Sequence, residues 1–246
     1  MLHVVSDTHF GHGNIIKYCN RPWLTQEEKI LFEDEKRWSH LKERVESSRL
    51  PYRDALDDLS NEERNFLNRP QPRLRVSKKS VDEMDDCLIE NINARVAEND
   101  TLYHLGDFCF APRDSYYYQA KKYLSRIKCR NIHLIWGNHD HRSISSLFSS
   151  TNYLQTIFED RQGIVLCHYA MAVWEKSHRG WIHLYGHSHG VAEQWLDSQM
   201  PTRRSMDVGV DNVFKIFQAY RPISYDEVMQ LLNNKDGFSI DHHISN

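Results

Sequence analysis

Five short apolar runs, each broken off by aspartate, asparagine or histidine, constrain this chain more than any other feature of its sequence. Leu2–Ser6 leads into Asp7-Thr8-His9, Thr101–Leu105 into Gly106-Asp107, and Ile132–Trp136 into Gly137-Asn138-His139-Asp140. Ile164–Cys167 leads into His168, and Trp181–Tyr185 into Gly186-His187-Ser188-His189. Short apolar runs bounded by glycine or polar clusters read as buried strands. Strands that deliver metal-ligating side chains at their carboxyl ends predict an α/β sheet with its site along one edge. Helices separate them. Val81, Met84, Leu88, Ile92 and Val96 step by 3, 4, 4 and 4 to form one apolar stripe. Ser115–Arg130 and Ser224–Asn233 also read as helices, the second opening with a Ser224-x-x-Glu227 capping box, and Arg204–Val210 reads as a core strand between them.

Residues 24–78 stand apart, with 12 acidic and 12 basic side chains. Capping boxes at Thr25-x-x-Glu28 and Ser60-x-x-Glu63 start two predicted helices, and Pro70 and Pro72 close the segment. It is expected to be a helical insertion within a single 246-residue domain, serving as a lid or as a contact between copies of the chain. Its apolar residues are too few to predict a second independent core.

The balance of 31 basic and 34 acidic residues, a net charge of −3, speaks against a broad face for polyanions. Aromatic content of 11% with only 10 glycines and 7 prolines excludes a disordered chain. No run approaches the length of a membrane span. The five scattered cysteines lack a Cys-x-x-Cys pair and are expected to be reduced thiols. The opening Met1-Leu-His-Val-Val-Ser reads as a strand and not a leader, so the expected location is cytoplasmic.

Taken together, Asp7, His9, Asp107, Asn138, His168, His187 and His189 form a nitrogen and oxygen ligand set. Two divalent cations sharing one carboxylate need about this many side chains. With no thiolate among them, manganese, iron, zinc or nickel suits the set better than a structural zinc site would. In Asp-x-His and His-x-His, residues two apart on an extended segment point the same way, which would turn both toward one cation.

These blocks, in this order, resemble the signature of the calcineurin-like metallophosphoesterase superfamily: Asp-x-His, Gly-Asp, Gly-Asn-His-(Asp/Glu), His and Gly-His-x-His. The resemblance implies two packed mixed β-sheets flanked by helices and two bound divalent cations, manganese foremost. It assigns Asp7, His9 and His189 to one cation, Asn138, His168 and His187 to the other, and Asp107 to both. It further implies hydrolysis of a phosphodiester or phosphomonoester by a metal-bound hydroxide, with His139 protonating the leaving oxygen, since imidazole trades a proton near neutral pH. Asp140 either orients His139 or holds its loop. The protein Ser/Thr phosphatase branch continues Gly-Asp-x-x-Asp-Arg-Gly, whereas this chain reads Gly106-Asp107-Phe108-Cys109-Phe110-Ala111-Pro112-Arg113. That departure disfavours this branch, and the complete ligand set with His139 on an acidic chain leads to an expected nucleotide-like small substrate, with a nuclease or a protein phosphatase as alternatives and a non-catalytic scaffold behind them. Asp7-Thr-His-Phe-Gly-His-Gly-Asn-Ile-Ile is similar to the opening of small bacterial and phage members, in which the insertion is absent.

Weaker candidates surround this set. His12 is expected to meet the substrate phosphate and Asn14 to cap the next helix. Arg21 could grip phosphate through its fork or pair with an acid in the insertion. Lys121, Lys122, Arg126, Lys128 and Arg130 read as a solvated helix face, and Arg69, Arg73, Arg75, Lys78 and Lys79 as a solvated linker, leaving nucleic acid a disfavoured partner. Trp38, Trp174 and Trp195 could stack on a base, although core packing accounts for most aromatics. His3, His104, His133 and His183 fall inside strands as structural residues, and His242 and His243 in a frayed tail.

Overall fold

The computed structural model of the chain describes residues 1–233 and 235, so His242 and His243 lie outside the described residues. The chain divides into two compact units: Met1–His12 with the described part of Asp82–Asn246, and Gly13–Val81. The first unit contains β1 (Leu2–Val5), β2 (Thr101–His104), β3 (Asn131–Ile135), β4 (Ser150–Asn152), β5 (Leu154–Glu159), β6 (Gln162–Cys167), β7 (Ile182–Tyr185), β8 (Ser205–Asp207) and β9 (Ile223–Ser224). One sheet runs β4-β3-β2-β1-β9, parallel except for β9. The other runs β5-β6-β7-β8, parallel except for β5. Both sheets are mixed and flanked by helices, the α/β architecture expected from the sequence.

The sheets share one core. Leu2, Val4, Tyr103, Leu105 and Ile135 from the first meet Ile164, Leu166, Ile182, Leu184 and Met206 from the second, all buried. Register then decides where the polar strand ends fall. Val5 lies opposite His104 and His104 opposite Leu134, so β1, β2 and β3 terminate side by side. Leu166 pairs with Leu184 and Tyr185 with Asp207, which aligns β6, β7 and β8 in the same way. The two sets of ends are stitched together by a bridge between Ser6 and Gly209 and by Val210 N–H donating to Ser6 O at 3.1 Å.

The second unit contains α1 (Gly13–Tyr18), α2 (Gln26–Glu46), α3 (Tyr52–Asp57) and α4 (Asn61–Leu67), while α5 (Lys78–Arg95) crosses the boundary between the units. Both predicted capping boxes form: Thr25 and Ser60 each accept the N–H of the glutamate three residues on, and each glutamate accepts the cap's own N–H. Glu28 also accepts the Ser77 N–H at 2.6 Å, joining the start of this unit to its end. Leu41, Val45, Ala55 and Leu59 bury one another with Leu56, Phe66 and Leu67 alongside, a small core that the segment's charge density had hidden.

The remaining helices are α6 (Tyr116–Leu124), α7 (Glu193–Gln199), α8 (Val210–Phe217) and α9 (Tyr225–Leu232). Two predicted elements are shorter than expected. The helix predicted to reach Arg130 stops at Leu124, because Ser125 bonds back to the Lys122 carbonyl and Lys128 N–H is taken by Asn93 Oδ1 at 2.7 Å. The strand predicted to reach Val210 stops at Asp207, whose side chain accepts the Gly209 N–H at 2.7 Å and turns the chain into α8. None of the helices among the described residues is long and apolar enough to cross a membrane. Leu184 is 2% exposed at the centre of the shared core. Leu184→Ala is expected to cost roughly 2–5 kcal/mol, read as a lower urea midpoint at unchanged slope; a loss below about 1 kcal/mol would show that the sheets do not depend on this contact.

Candidate metal centre

Each candidate ligand sits one to four residues beyond a strand end, and at five of the seven the backbone is not extended. Asp7, His9, Asp107, His187 and His189 have φ of 58°, 49°, 55°, 68° and 50°. Aspartate and histidine tolerate this left-handed region better than most residues, yet each such position costs about 1–3 kcal/mol. The extended geometry predicted for Asp-x-His and His-x-His is therefore replaced by tight left-handed turns, which fold each segment back over its strand end. Gly137 and Gly186 permit the close approach: a Cβ at Gly137 would collide with the Asp107 carboxylate, and one at Gly186 with Ser6 and the Asp7 carboxylate.

The turns bring two groups of ligand atoms together. Those of Asp7, His9 and His189 lie within 4.8 Å of one another, as do those of Asp107, His168 and His187. Asn138 Oδ1 is 3.2 Å from His168 Nε2, adding an amide oxygen to the second group. Asp107 Oδ2 stands 3.6 Å from His9 Nε2 and 3.5 Å from His168 Nε2, so one carboxylate oxygen faces an imidazole of each group. The donors fit borderline divalent cations: imidazole, carboxylate and amide oxygen, with no thiolate. His139 lies beside them, its N–H donating to Asp107 Oδ1 at 2.9 Å and its exposed ring 5.4 Å from that of His9.

A surrounding set of acceptors orients these groups. His168 Nδ1 bonds Leu105 O at 2.7 Å, which turns Nε2 toward Asp107. His189 Nδ1 bonds the buried Asp211 at 2.7 Å, so a cation would take Nε2. Asp207 Oδ2 accepts Ser188 Oγ at 2.7 Å and Gly190 N–H at 2.8 Å, holding the loop that carries His187 and His189. The pattern of strand ends did not reveal Asp207 or Asp211. Asp207 lies within a run that reads as a core strand, and Asp211 at the start of a helix that the apolar spacing does not predict. Asp140 accepts the N–H groups of Asp107, Phe108 and Gly137, each at 2.9 Å, and the Tyr116 hydroxyl at 3.2 Å. It therefore clamps the Gly106 loop to the Gly137 loop.

Burial and close charges shift these groups. Burial, reinforced by the charge of Asp207, pushes the Asp7 carboxyl up to about 7. Burial acts the same way on Asp107, but the hydrogen bond with His168 and the nearby charges of His168 and His9 outweigh it and hold Asp107 well below the usual carboxylate range. At His168, burial favours the neutral ring, yet its bond to Asp107 and the charge of Asp7 raise it to about 9.

The other predicted residues are placed as follows. His12 is half-buried and stacks on Phe110, with ring centroids 4.1 Å apart. Arg21 belongs to the Gly13–Val81 unit, where it is buried just after α1, and Asn14 lies exposed within α1. His104 bonds Thr8 Oγ1 at 2.9 Å, His133 bonds Ser150 Oγ at 2.7 Å, and His183 bonds the carbonyls of Val165 and Tyr169. Trp174 is buried with its Nε1 donating to Trp181 O, whereas Trp195 is exposed. All five cysteines are free thiols.

No protein-family model matches the chain. It is similar to an uncharacterized protein of Methanocaldococcus jannaschii, MJ1445, with 24% identity over 233 residues, 94% of this chain and 90% of that protein. The crystal structure of a protein of unknown function from Aquifex aeolicus, AQ665, superposes with a TM-score of 0.54 and 18% identity, covering 94% of this chain and 98% of that one. That likeness extends to the fold.

Two outcomes follow from this geometry. Asp7 and His168 bind protons more tightly folded than unfolded, so the stability of the metal-free protein is expected to fall as pH rises: from about 4 to 7 through Asp7 and from about 6.5 to 9 through His168. A cation must displace both protons, so its affinity should climb over the same windows. Urea unfolding and calorimetric manganese titration across this range test both; stability that rises with pH would contradict the assignment. Separately, Asp207→Asn is expected to weaken manganese binding by about 10- to 100-fold, because the loop bearing two imidazoles loses its anchor. Unchanged affinity in the same titration would remove Asp207 from this role.

Proposed function

We propose that this chain is a two-metal phosphoesterase of the calcineurin-like metallophosphoesterase kind, hydrolysing a phosphodiester or phosphomonoester of a nucleotide-like small molecule. Manganese is the foremost cation, with iron, zinc and nickel compatible with the same donors. The observation that carries the reading is the Asp107 Oδ2 atom, 3.6 Å from His9 Nε2 and 3.5 Å from His168 Nε2. A carboxylate oxygen turned toward both ligand groups is what a shared ligand between two cations requires. Bound there, two divalent cations would supply the Lewis-acid charge that activates water and neutralises phosphoryl oxygens.

The chain's own residues do the rest. Asp140 ties the Asp107 loop to the His139 loop through three backbone amides, fixing the distance between shared ligand and proton donor. His139, anchored by its N–H on Asp107 Oδ1, presents an exposed ring beside His9, where it can hand a proton to a departing oxygen. Five free thiols agree with a reducing, cytoplasmic setting. The intact ligand set together with His139 supports an enzyme over a scaffold.

With manganese, the protein is expected to hydrolyse bis(p-nitrophenyl) phosphate, to lose activity in EDTA and to recover it on re-addition. His139→Ala should lower kcat by about 10²- to 10⁴-fold while manganese content stays constant. Silence across manganese, iron, zinc and nickel would overturn the reading, and full turnover by His139→Ala would overturn the role of that residue.

A further inference from the structure

We propose that the substrate of this centre is a phosphodiester joining two nucleosides, whose bases are received by Phe110 and Tyr169. The inference rests on the phosphoesterase reading and deepens it. Each ligand group has an exposed aromatic ring of its own. Phe110, three residues after Asp107, is 46% exposed. Its N–H donates to Phe10 O at 2.8 Å beside the Phe10–Cys109 bridge, so its backbone is fixed. The His12 ring covers one face of Phe110, 4.1 Å away and inclined by 15°, and the His139 ring meets its edge at 5.9 Å. His139 in turn stands 5.4 Å from His9, which places Phe110 beside the first group.

Tyr169 flanks the second group. It follows His168 directly and is 45% exposed, with its ring 5.0 Å from His168 and 4.8 Å from His187. Its carbonyl lies 3.2 Å from Nε2 of the buried His183 ring, which packs this backbone against β7.

Rings exposed at a polar centre contribute nothing to the core, and both are held on backbones that are already ordered. A flat apolar ring recognises another π-face, and every nucleobase has one. A phosphomonoester of a sugar or a phosphorylated peptide would leave both rings unused. A mononucleotide would use one. A phosphate with a base on either side uses both, the phosphorus lying over the ligand groups while each base stacks on the ring next to it. Excess negative charge on the chain argues for a short partner.

The test compares kcat/KM of the manganese-loaded protein on the dinucleotide ApA and on glycerophosphocholine, a diester without aromatic groups. A strong preference for ApA is expected. Phe110→Leu and Tyr169→Ala should each reduce that preference by about 5- to 150-fold, the range one stacked base is worth. Phe110→Trp should restore it, which a merely structural role would not. Phe158→Ala, an exposed ring on β5, serves as the control and should leave the preference intact. A second measurement is independent of turnover: a 2-aminopurine dinucleotide bound to zinc-loaded His139→Ala should be quenched, and the quenching should disappear on adding Phe110→Leu and Tyr169→Ala. An adenine 12-mer tells the two sources apart, because faster cleavage of ApA indicates a free dinucleotide and faster cleavage of the 12-mer indicates an internal linkage of a single strand; either supports the proposal. Equal kcat/KM on ApA and glycerophosphocholine, with quenching indifferent to the substitutions, overturns it and leaves the phosphoesterase reading standing. If neither diester is cleaved, the phosphoesterase reading fails, and the quenching assay alone decides the aromatic subsites.

Discussion

The carboxylate of Asp107 is shared between imidazoles that arrive from different β-sheets: His9 follows β1 of one sheet and His168 follows β6 of the other. A buried carboxylate is costly unless charges or hydrogen bonds compensate it. Here the compensation comes from His168, His9 and the His139 N–H, so the carboxylate stays ionised where burial alone would protonate it. This single group requires the two sheets to end at the same place, and the shared core between them meets that requirement. His187 N–H reaches across to the Asp7 carboxylate, and His168 Nδ1 to the Leu105 carbonyl, so the junction is hydrogen-bonded as well as packed.

Placing so many charged and polar groups at one junction has a conformational cost. Five of the seven candidate ligands adopt left-handed backbone, strain that persists only where surrounding structure over-determines it. The surroundings do so through three further carboxylates. Asp140 gathers three amides from two loops, Asp207 gathers the loop of His187 and His189, and Asp211 orients one ring. The Asp7 carboxyl and the His168 ring are both raised because negative charge is concentrated in a place water cannot screen.

In the proposed function, reaction chemistry and substrate choice would be carried by different parts of this junction. Ligands and their anchors belong to strand ends and are fixed by sheet register. Phe110 and Tyr169 share those loops but are exposed, so the same backbone that positions a candidate ligand also positions a proposed recognition surface. The resemblance of the whole chain to the Aquifex protein reaches the fold, and a fold hosts many activities. The proposed function therefore rests on the residues at the junction.

Sequence alone determined the list of candidate ligands, because a polar cluster that interrupts an apolar run is a local pattern that survives without knowledge of the fold. The same holds for the three capping boxes, which depend on residues three apart. Tertiary structure decided what local patterns cannot carry. It ended α6 at Leu124 as the Lys128 N–H donates to Asn93, formed the β4 and β5 strands from a stretch without clear alternation, and gave the Gly13–Val81 unit a core that its charge density masked. It turned the ligand backbones left-handed, and it gave Asp207 and Asp211 their roles through contacts with Ser188, Gly190 and His189, about twenty residues earlier in the chain. The physical reason is common to all of these: a strand or a cap is stabilised by its sequence neighbours, whereas a charge, a bent backbone or an exposed ring takes its meaning from groups that only packing brings near.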